Sequence, residues 1–252
     1  MGIQLIDKGT PDIPEDLRCL PCLSLLKDED FSDIAESVEI RRLCKHEILF
    51  LESEPLKSTF IVKAGSVKIY KTTGSGKELI IKILWPGDYY CYPPLKDDSA
   101  NILNAMAFTD STVLLIPSDK FKALLNTKVG DVGLNIVAGL CEKISILSDK
   151  LDDIAFKSVQ ERILKTLYAL SDGLPVIDGT VTVSINHQEL AALVGTAREV
   201  VSRIVGSLKE KKIILDSRTK NFKINKKTLL KYIKSASPPQ AQACCGIRGK
   251  TK

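Results

Sequence analysis

The chain has 252 residues, 44% of them hydrophobic and 27% charged, with a formal net charge of +5 at pH 7. This composition excludes a disordered, collagen-like or coiled-coil chain, and no stretch reaches the roughly 20 uncharged apolar residues that a membrane span needs. Because residues 1–16 also lack a signal-peptide pattern, we expect a cytoplasmic protein with no membrane association.

Residues 44–118 consist of short apolar runs separated by turn residues. The runs are 48–51, 60–62, 67–70, 79–84 and 113–116. Runs this short and this regularly spaced predict an all-β sandwich or roll. A short helix is predicted at 27–37, so we assign residues 1–126 to an N-terminal sensory domain made of this helix and the β-roll.

The period of the apolar residues changes after Asp119. Large aliphatic residues then recur at alternating steps of three and four, a heptad stripe formed by Val137, Leu140, Ile144, Leu147, Leu151 and Ile154. The stripe predicts one long helix within 127–156, with its regular part beginning after Gly130 and Gly133 because glycine is a poor helix former. The stripe could cover the β-roll, but its narrowness favours a seam with the same helix of a second chain, and hence a homodimer.

The charge changes sign at the end of this predicted helix. Residues 1–156 carry 18 Lys and Arg against 24 Asp and Glu, whereas residues 157–235 carry 15 against 7. An acidic first part joined to a basic second part indicates that the second part meets a polyanion.

The basic region is predicted to contain four helices and two short ribbons, including a candidate helix-turn-helix around Gly195. The predicted elements are a helix at 159–170, a hairpin of 174–177 and 181–185 around Asp178-Gly179, two helices flanking Gly195, a ribbon of 213–216 and 222–224, and a helix at 226–234. We assign residues 157–235 to a DNA-binding domain. Residues 236–252, which include Cys244 and Cys245, are assigned to a flexible tail.

The two helices around Gly195 carry the candidate DNA contacts. Asn186 is predicted to cap the first helix in a capping box with Glu189, and Thr196 is predicted to cap the second. On the second helix the apolar spacing places Val201, Ile204, Val205 and Leu208 inward and leaves Arg198, Glu199, Ser202 and Arg203 outward. Arginine, glutamate and serine are suited to base edges and phosphates.

A competing interpretation is structural. Glu199 could merely complete a capping box with Thr196, and the arginines could be solvated. The basic domain and a following ribbon with Arg218, Lys220 and Lys223 favour DNA instead. His187, beside the first cap, is interpreted as a phosphate neighbour or an exposed side chain rather than a metal ligand.

The run from Asn186 to Arg203, preceded by the β-roll and residues 155–162, resembles the CRP/FNR superfamily of bacterial transcription regulators over about residues 20–235. The resemblance implies an α+β fold: an N-terminal cyclic-nucleotide-binding-type β-roll (a double-stranded β-helix), a long dimerisation helix and a C-terminal winged helix-turn-helix. It also implies a homodimer on a palindromic double-stranded DNA operator, with RNA polymerase as a partner.

Seven positions of this chain are candidate DNA contacts: Asn186, His187, Thr196, Arg198, Glu199, Ser202 and Arg203. By the family resemblance, Arg198, Glu199 and Arg203 are expected to contact bases. Glu199-x-x-Ser202-Arg203 is similar to the FNR branch, while Arg198-Glu199 is shared with the cyclic-AMP branch. Half-sites containing TGA or TGTGA are therefore expected.

The residues expected to sense a signal depart from the cyclic-nucleotide binders of this family. Those members place a Glu after the glycine-rich turn and an Arg-Ser or Arg-Thr pair later, whereas residues 86–95 and 99–106 of this chain contain no arginine. A buried phosphate is poorly held without a cationic partner. Cyclic AMP is therefore disfavoured as the effector.

An iron-sulfur cluster is a second candidate. Cys19-x-x-Cys22 resembles the start of the cysteine group in the family's oxygen sensor, but a third nearby cysteine is missing and Leu114 stands near the place of the fourth. Cys44, Cys91 or Cys141 would have to substitute. Cys19 and Cys22 could also form a thiol switch, or Cys22 could simply be a small apolar residue in a packed helix.

Haem (heme) is a third candidate. The place of Cys91 resembles that of the haem-ligating cysteine in the family's carbon monoxide sensor, although Pro93 replaces the histidine found two residues later there. A thiolate can ligate haem iron. The candidate effector pocket is lined by Tyr89, Tyr90, Cys91, Tyr92 and Met106, with His46 as an alternative ligand. Two alternatives to haem remain for the effector: an unidentified small molecule, or no ligand at all.

The sequence is compatible with two other classes of function. The chain could be a haem-, metal- or ligand-binding module whose basic domain docks an acidic protein rather than DNA. An enzyme is disfavoured because the sequence has no phosphate loop or histidine-rich metal motif, and its two histidines, His46 and His187, belong to no recognisable nucleophile arrangement.

Overall fold

The computed structural model describes residue 17 and residues 34–91, 99–127, 129–217 and 221–236. The chain divides into two units, residues 1–151 and 152–252. Across the described ranges, no helix is both long enough and apolar enough to cross a membrane.

The first unit contains two four-stranded antiparallel sheets, as the apolar runs predict. Its strands are β1 (Glu39–Leu43), β2 (Ile48–Phe50), β3 (Ser58–Ala64), β4 (Val67–Thr72), β5 (Glu78–Leu84), β6 (Tyr89–Tyr90), β7 (Asn104–Ala107) and β8 (Ser111–Pro117). The strand orders are β1-β8-β3-β6 and β2-β7-β4-β5. The predicted β-roll is confirmed.

The centre of strand β3 is a run of three apolar residues, Phe60–Val62, which is buried on both faces. Phe60 and Val62 point into the cluster between the two sheets, where they meet Ile69 of β4. Ile61 points the other way and packs with Leu114 of β8 in a second cluster. The roll therefore has one apolar core between its sheets and another on the outer face of one sheet.

Three strands were not predicted. Strand β1 lies at a sheet edge and has a mostly polar sequence, and β6 has two residues. Strand β7 contains Asn104, which is buried because its side chain accepts a hydrogen bond from Glu52 N and donates one to Tyr70 O. Of the helix predicted at 27–37, Ile34 and Ala35 are helical, and residues 27–33 lie outside the described residues.

Two helices follow the roll, α1 (Ser118–Thr127) and α2 (Val129–Phe156). The prediction that regular helix begins after Gly130 and Gly133 is wrong, since α2 begins at Val129. Each glycine costs only about 1 kcal/mol relative to alanine, and a cooperative helix of 28 residues tolerates that cost.

Helix α2 presents different faces to the roll and to solvent. Ile136 packs against the outer core of the roll, and Lys143 Nζ donates to the carbonyl of Cys91. The heptad stripe points elsewhere: Val137, Ile144, Leu147, Leu151 and Ile154 are exposed, and Leu140 is half-buried. The interpretation that this stripe covers the β-roll is therefore wrong.

The second unit has the predicted order of helices and short strands. After the end of α2 come α3 (Val159–Ser171), β9 (Thr180–Val183), α4 (His187–Val194), α5 (Arg198–Glu210), β10 (Ile214–Asp216), β11 (Phe222–Asn225) and α6 (Lys226–Ala236). The three strands form one antiparallel sheet in the order β10-β11-β9. Residues 237–252, the rest of the predicted tail, lie outside the described part of the chain.

The predicted hairpin before β9 is correct only at its turn. Ile177 and Thr180 exchange backbone hydrogen bonds across Asp178 and Gly179, both of which have positive φ, as a tight hairpin turn requires. Residues 174–176 form no strand, because their apolar side chains stay exposed and β9 pairs with β11 instead.

Candidate nucleic-acid interface

The capping box at the start of α4 is confirmed. The Asn186 side-chain oxygen accepts from Glu189 N at 2.8 Å, and the Glu189 carboxylate accepts from Asn186 N at 2.8 Å. These bonds satisfy two backbone donors at the helix start that would otherwise lack a partner. The Asn186 oxygen is thus used to orient α4.

The turn after α4 is fixed by Gly195 and by an arginine. Gly195 has φ 69° and ψ 52°, a left-handed conformation that glycine adopts without steric cost. The Gly195 and Thr196 amides both donate to Ala191 O. Arg162 of α3 donates from Nη1 to Val194 O at 2.5 Å, so it satisfies the carbonyl of the last residue of α4.

Helix α5 begins one residue later than predicted. Its cap is Ala197, whose carbonyl accepts from Val200 N and Val201 N, and no side chain caps the helix. The prediction that Thr196 caps α5 is wrong because Ala197 occupies the cap position and no side chain bonds to the first turn of the helix. The competing interpretation of Glu199 in a capping box with Thr196 is wrong for the same reason.

The two faces of α5 are as predicted. Val201, Val205 and Leu208 are buried and Ile204 is half-buried, whereas Arg198, Glu199, Ser202 and Arg203 are exposed. Among the described residues, the side chains of Arg198, Glu199 and Arg203 form no hydrogen bond or ion pair. These three side chains can therefore reach a ligand without breaking an intramolecular contact.

His187 is half-buried rather than exposed. Its Nδ1 lies 2.9 Å from Ser202 Oγ, and its ring lies 5.2 Å from the Phe222 ring at 32°. Partial burial and the positive charges of Arg198 and Lys209 lower the pKa of His187 below its ordinary value. No local sequence pattern reveals the His187–Ser202 contact, because the partners stand 15 residues apart on different helices.

The wing follows α5. Asp216 Oδ1 accepts from Ser217 N, and Ser184 donates to Asn221 Oδ1, so both sides of the wing turn are held. Lys223 is exposed on β11. Arg218 and Lys220, the other two predicted basic residues of the ribbon, lie outside the described residues.

The described residues of the candidate effector pocket do not gather around one cavity. Cys91 is 6% exposed and shares a cluster with Tyr89. Tyr90 belongs to the other cluster, where it stacks on Phe60 at 5.7 Å and lies 5.3 Å from Phe50. Met106 is half-buried on β7, and Tyr92 lies outside the described residues.

The described surroundings of Cys91 do not fit a haem. Side chains enclose Cys91, and His46 is exposed in a turn with φ 71°. In the ranges that the structure covers, no three His, Cys, Asp or Glu side chains form a group that could hold a metal. Leu114 is fully buried, and Cys44 and Cys141 are exposed. Cys19, Cys22, Cys244 and Cys245 lie outside the described residues.

The sequence did not indicate a cleft that opens on the roll. Its volume is about 510 Å³, and its walls include Phe50, Leu115 and the charged residues Arg41 and Lys57. Asn101 also lines it and is 3% exposed. The Asn101 side-chain oxygen has no hydrogen-bond partner among the described residues, although its nitrogen donates to the backbone. Because this oxygen is buried from solvent, a ligand in the cleft would reach it only after a local shift of the wall.

Both units match known sequence families. The profile of the cyclic nucleotide-binding domain matches residues 40–128, and that of the Crp-like helix-turn-helix domain matches residues 161–233. The chain is 28% identical over 184 residues to the cyclic AMP receptor protein of Thermus thermophilus, covering 72% of this chain and 82% of that protein. It is 25% identical over 220 residues to the anaerobic regulatory protein of Bacillus subtilis, with coverages of 85% and 92%.

The fold is also similar to that of CLP, a global regulator of Xanthomonas campestris described as c-di-GMP-responsive. The TM-score is 0.68 at 20% identity, covering 79% of this chain and 99% of that one. A cyclic-nucleotide-binding-type roll, a long helix and a winged helix-turn-helix together define a DNA-binding transcription regulator. The chain belongs to the CRP/FNR family of transcription regulators. Members of this family are not enzymes, which sets the enzymatic interpretation aside.

Proposed function

We propose that the protein is a homodimer that binds a palindromic operator with one α5 helix in each of two successive major grooves, and that a signal other than cyclic AMP controls this binding through the β-roll. One observation carries the DNA half of the proposal. Arg198, Glu199 and Arg203 project from a helix whose opposite face is buried, and they have no intramolecular partner among the described residues.

The residue types on this face match the major groove. Arginine donates a forked pair of hydrogen bonds to guanine O6 and N7, and glutamate accepts from cytosine N4. Arg198 and Glu199 occupy the first turn of α5, the part of a recognition helix that meets base edges. RNA polymerase is the expected partner of the bound dimer.

The evidence for a homodimer lies in α2. Five apolar side chains of the heptad stripe are 39–67% exposed within one chain, and they recur at the spacing of a two-helix seam. A second copy would cover them. Binding to a palindrome requires the two α5 helices of such a dimer to lie about 34 Å apart, the distance between successive major grooves on one face of DNA.

The evidence for a signal other than cyclic AMP lies in the β-roll. No arginine stands in residues 99–106 to pair with a cyclic phosphate. Phe50, Phe60 and Tyr90 fill the space between the sheets with aromatic rings. The cleft beside Asn101 suits a small polar molecule instead, and a thiol switch at Cys19 and Cys22 is the redox alternative.

The test combines DNase footprinting with titration at several salt concentrations. The proposal expects a symmetric footprint and an affinity that falls steeply with salt, because Lys and Arg displace counterions from phosphates. A monomer that ignores DNA sequence would overturn the DNA half. Footprints identical with and without added cyclic AMP, other small effectors and thiol oxidants would overturn the sensory half.

An ultraviolet-visible spectrum of protein purified without oxygen would reveal a haem or cluster directly.

A further inference from the structure

His187 is the first residue of α4, yet its side chain contacts two other elements. Its Nδ1 lies 2.9 Å from Ser202 Oγ on the outward face of α5, and its ring lies against Phe222 of β11. The imidazole therefore joins the first helix, the recognition helix and the wing. A histidine that only lay beside a DNA phosphate would not need these contacts with Ser202 and Phe222.

The charge on this imidazole is fixed by its surroundings. Partial burial disfavours the cation, and Arg198 and Lys209 on α5 disfavour it further, so the pKa of His187 lies below its ordinary value near 6.5. At neutral pH the ring therefore carries one N–H, on either Nδ1 or Nε2.

The position of that hydrogen follows from the environment of Nε2. This atom is buried and has no hydrogen-bond partner among the described residues. The 32° angle between the rings keeps an Nε2–H from pointing into the face of Phe222. Buried N–H groups without an acceptor are rarer in proteins than buried acceptors without a donor. A hydrogen on Nδ1, donated to Ser202 Oγ, therefore leaves Nε2 as an unpaired acceptor, the less costly of the two arrangements.

We propose that His187 is a positioning residue that sets the hydrogen-bond direction of Ser202. Because the Ser202 oxygen accepts from His187, the Ser202 hydroxyl hydrogen points away from the protein and donates to DNA. It selects base edges with an acceptor, namely guanine O6 or N7, adenine N7 or thymine O4, over the amino groups of cytosine and adenine. This inference rests on the proposed placement of α5 in the major groove.

The test is binding-site selection from a library of randomised palindromes. It uses the wild-type protein, Ser202→Ala, His187→Phe and the double variant. His187→Phe keeps a ring against Phe222 and removes both nitrogens. Gln188→Ala, at the exposed next position of α4, controls for altering the first helical turn.

The wild type is expected to prefer an acceptor base at one position of each half-site. His187→Phe should reduce that preference by roughly threefold to tenfold, the size of one hydrogen bond. The double variant should match Ser202→Ala, because His187 acts through Ser202. Gln188→Ala should leave the base preference unchanged.

The outcomes separate this inference from the proposed function. A wild-type protein that selects no sequence overturns both. If the wild type selects a palindrome, but His187→Phe keeps the wild-type preference or weakens every sequence equally, only the role of His187 is overturned. If Ser202→Ala keeps the base preference of the wild type, the proposed role of His187 is likewise overturned.

A spectroscopic test does not depend on how the variants fold. The chain has only two histidines, so proton–nitrogen correlation spectra of the wild-type imidazoles show two sets of signals. The exposed His46 exchanges rapidly, whereas His187 should carry its hydrogen on Nδ1 at neutral pH. A spectrum with the His187 hydrogen on Nε2 would overturn the proposal.

Discussion

Arg162 Nη1 lies 2.5 Å from the carbonyl oxygen of Val194, so α3 caps the final turn of the helix that precedes the recognition helix. We expect Arg162→Met to lower the free energy of unfolding by about 1.5–3 kcal/mol, the usual contribution of a hydrogen bond from a charged donor. The measurement is urea unfolding followed by circular dichroism.

Arg203→Met is the matched control for Arg162→Met. Arg203 is exposed and has no intramolecular partner among the described residues. The same substitution there should change stability by less than about 0.5 kcal/mol while weakening operator binding. Equal losses of stability in the two variants would show that the Val194 contact contributes nothing.

Arg198 and Lys223 should differ in what they recognise. Arg198→Ala should weaken operator binding by about 1–3 kcal/mol and relax the preference at one base pair, because arginine reads guanine directly. Lys223→Ala, on the exposed face of β11, should weaken all sequences alike and reduce the salt slope by about one unit. Competition binding with single-base operator variants measures both effects. A uniform loss in Arg198→Ala would contradict its base contact.

The periodicity of the sequence predicts more of this molecule than its side-chain contacts. The inward face of α5 and the Asn186–Glu189 capping box follow from residue type and spacing, and both are correct. The start of α5 at Arg198, one residue later than predicted, does not follow from them, because the Thr196 amide bonds back to Ala191 O of α4.

The other features that the sequence does not predict depend on tertiary contacts. Strand β7 depends on hydrogen bonds between Asn104 and residues 34 and 52 positions away in the chain, and the His187–Ser202 contact joins two helices. No local sequence pattern predicts such pairings. The same limit applies to the cleft, since Asn101 and Leu115 belong to separate segments that only the folded roll brings together.

The exposed stripe of α2 predicts how the dimer should break. Leu147→Asp should weaken dimerisation by about two orders of magnitude or more, because it removes a buried leucine from each chain and brings two carboxylates together. Ser145→Asp adds the same charge at an exposed position off the stripe and should leave the dimer intact. Sedimentation velocity measures both. Equal sedimentation of the two variants would show that the stripe is not the seam.

The low pKa of His187 makes stability depend on pH in a defined direction. Burial, Arg198 and Lys209 keep the folded-state pKa below the ordinary value of about 6.5, so between these two pKa values the unfolded chain binds more protons than the folded chain. The contribution of the neutral imidazole to stability is therefore fully present above about pH 6.5 and declines as the pH falls below it.

His187→Phe isolates this contribution, because the other titrating groups are shared with the wild type. The difference in unfolding free energy between wild type and His187→Phe should be constant from pH 8 to about 6.5. It should then shift against the wild type at lower pH, since only the wild type has a buried group to protonate. Urea unfolding at half-unit pH intervals measures the difference. A difference that stays constant down to pH 5 would mean that His187 titrates alike in the folded and unfolded chains, and would remove the reason for treating it as neutral against Ser202.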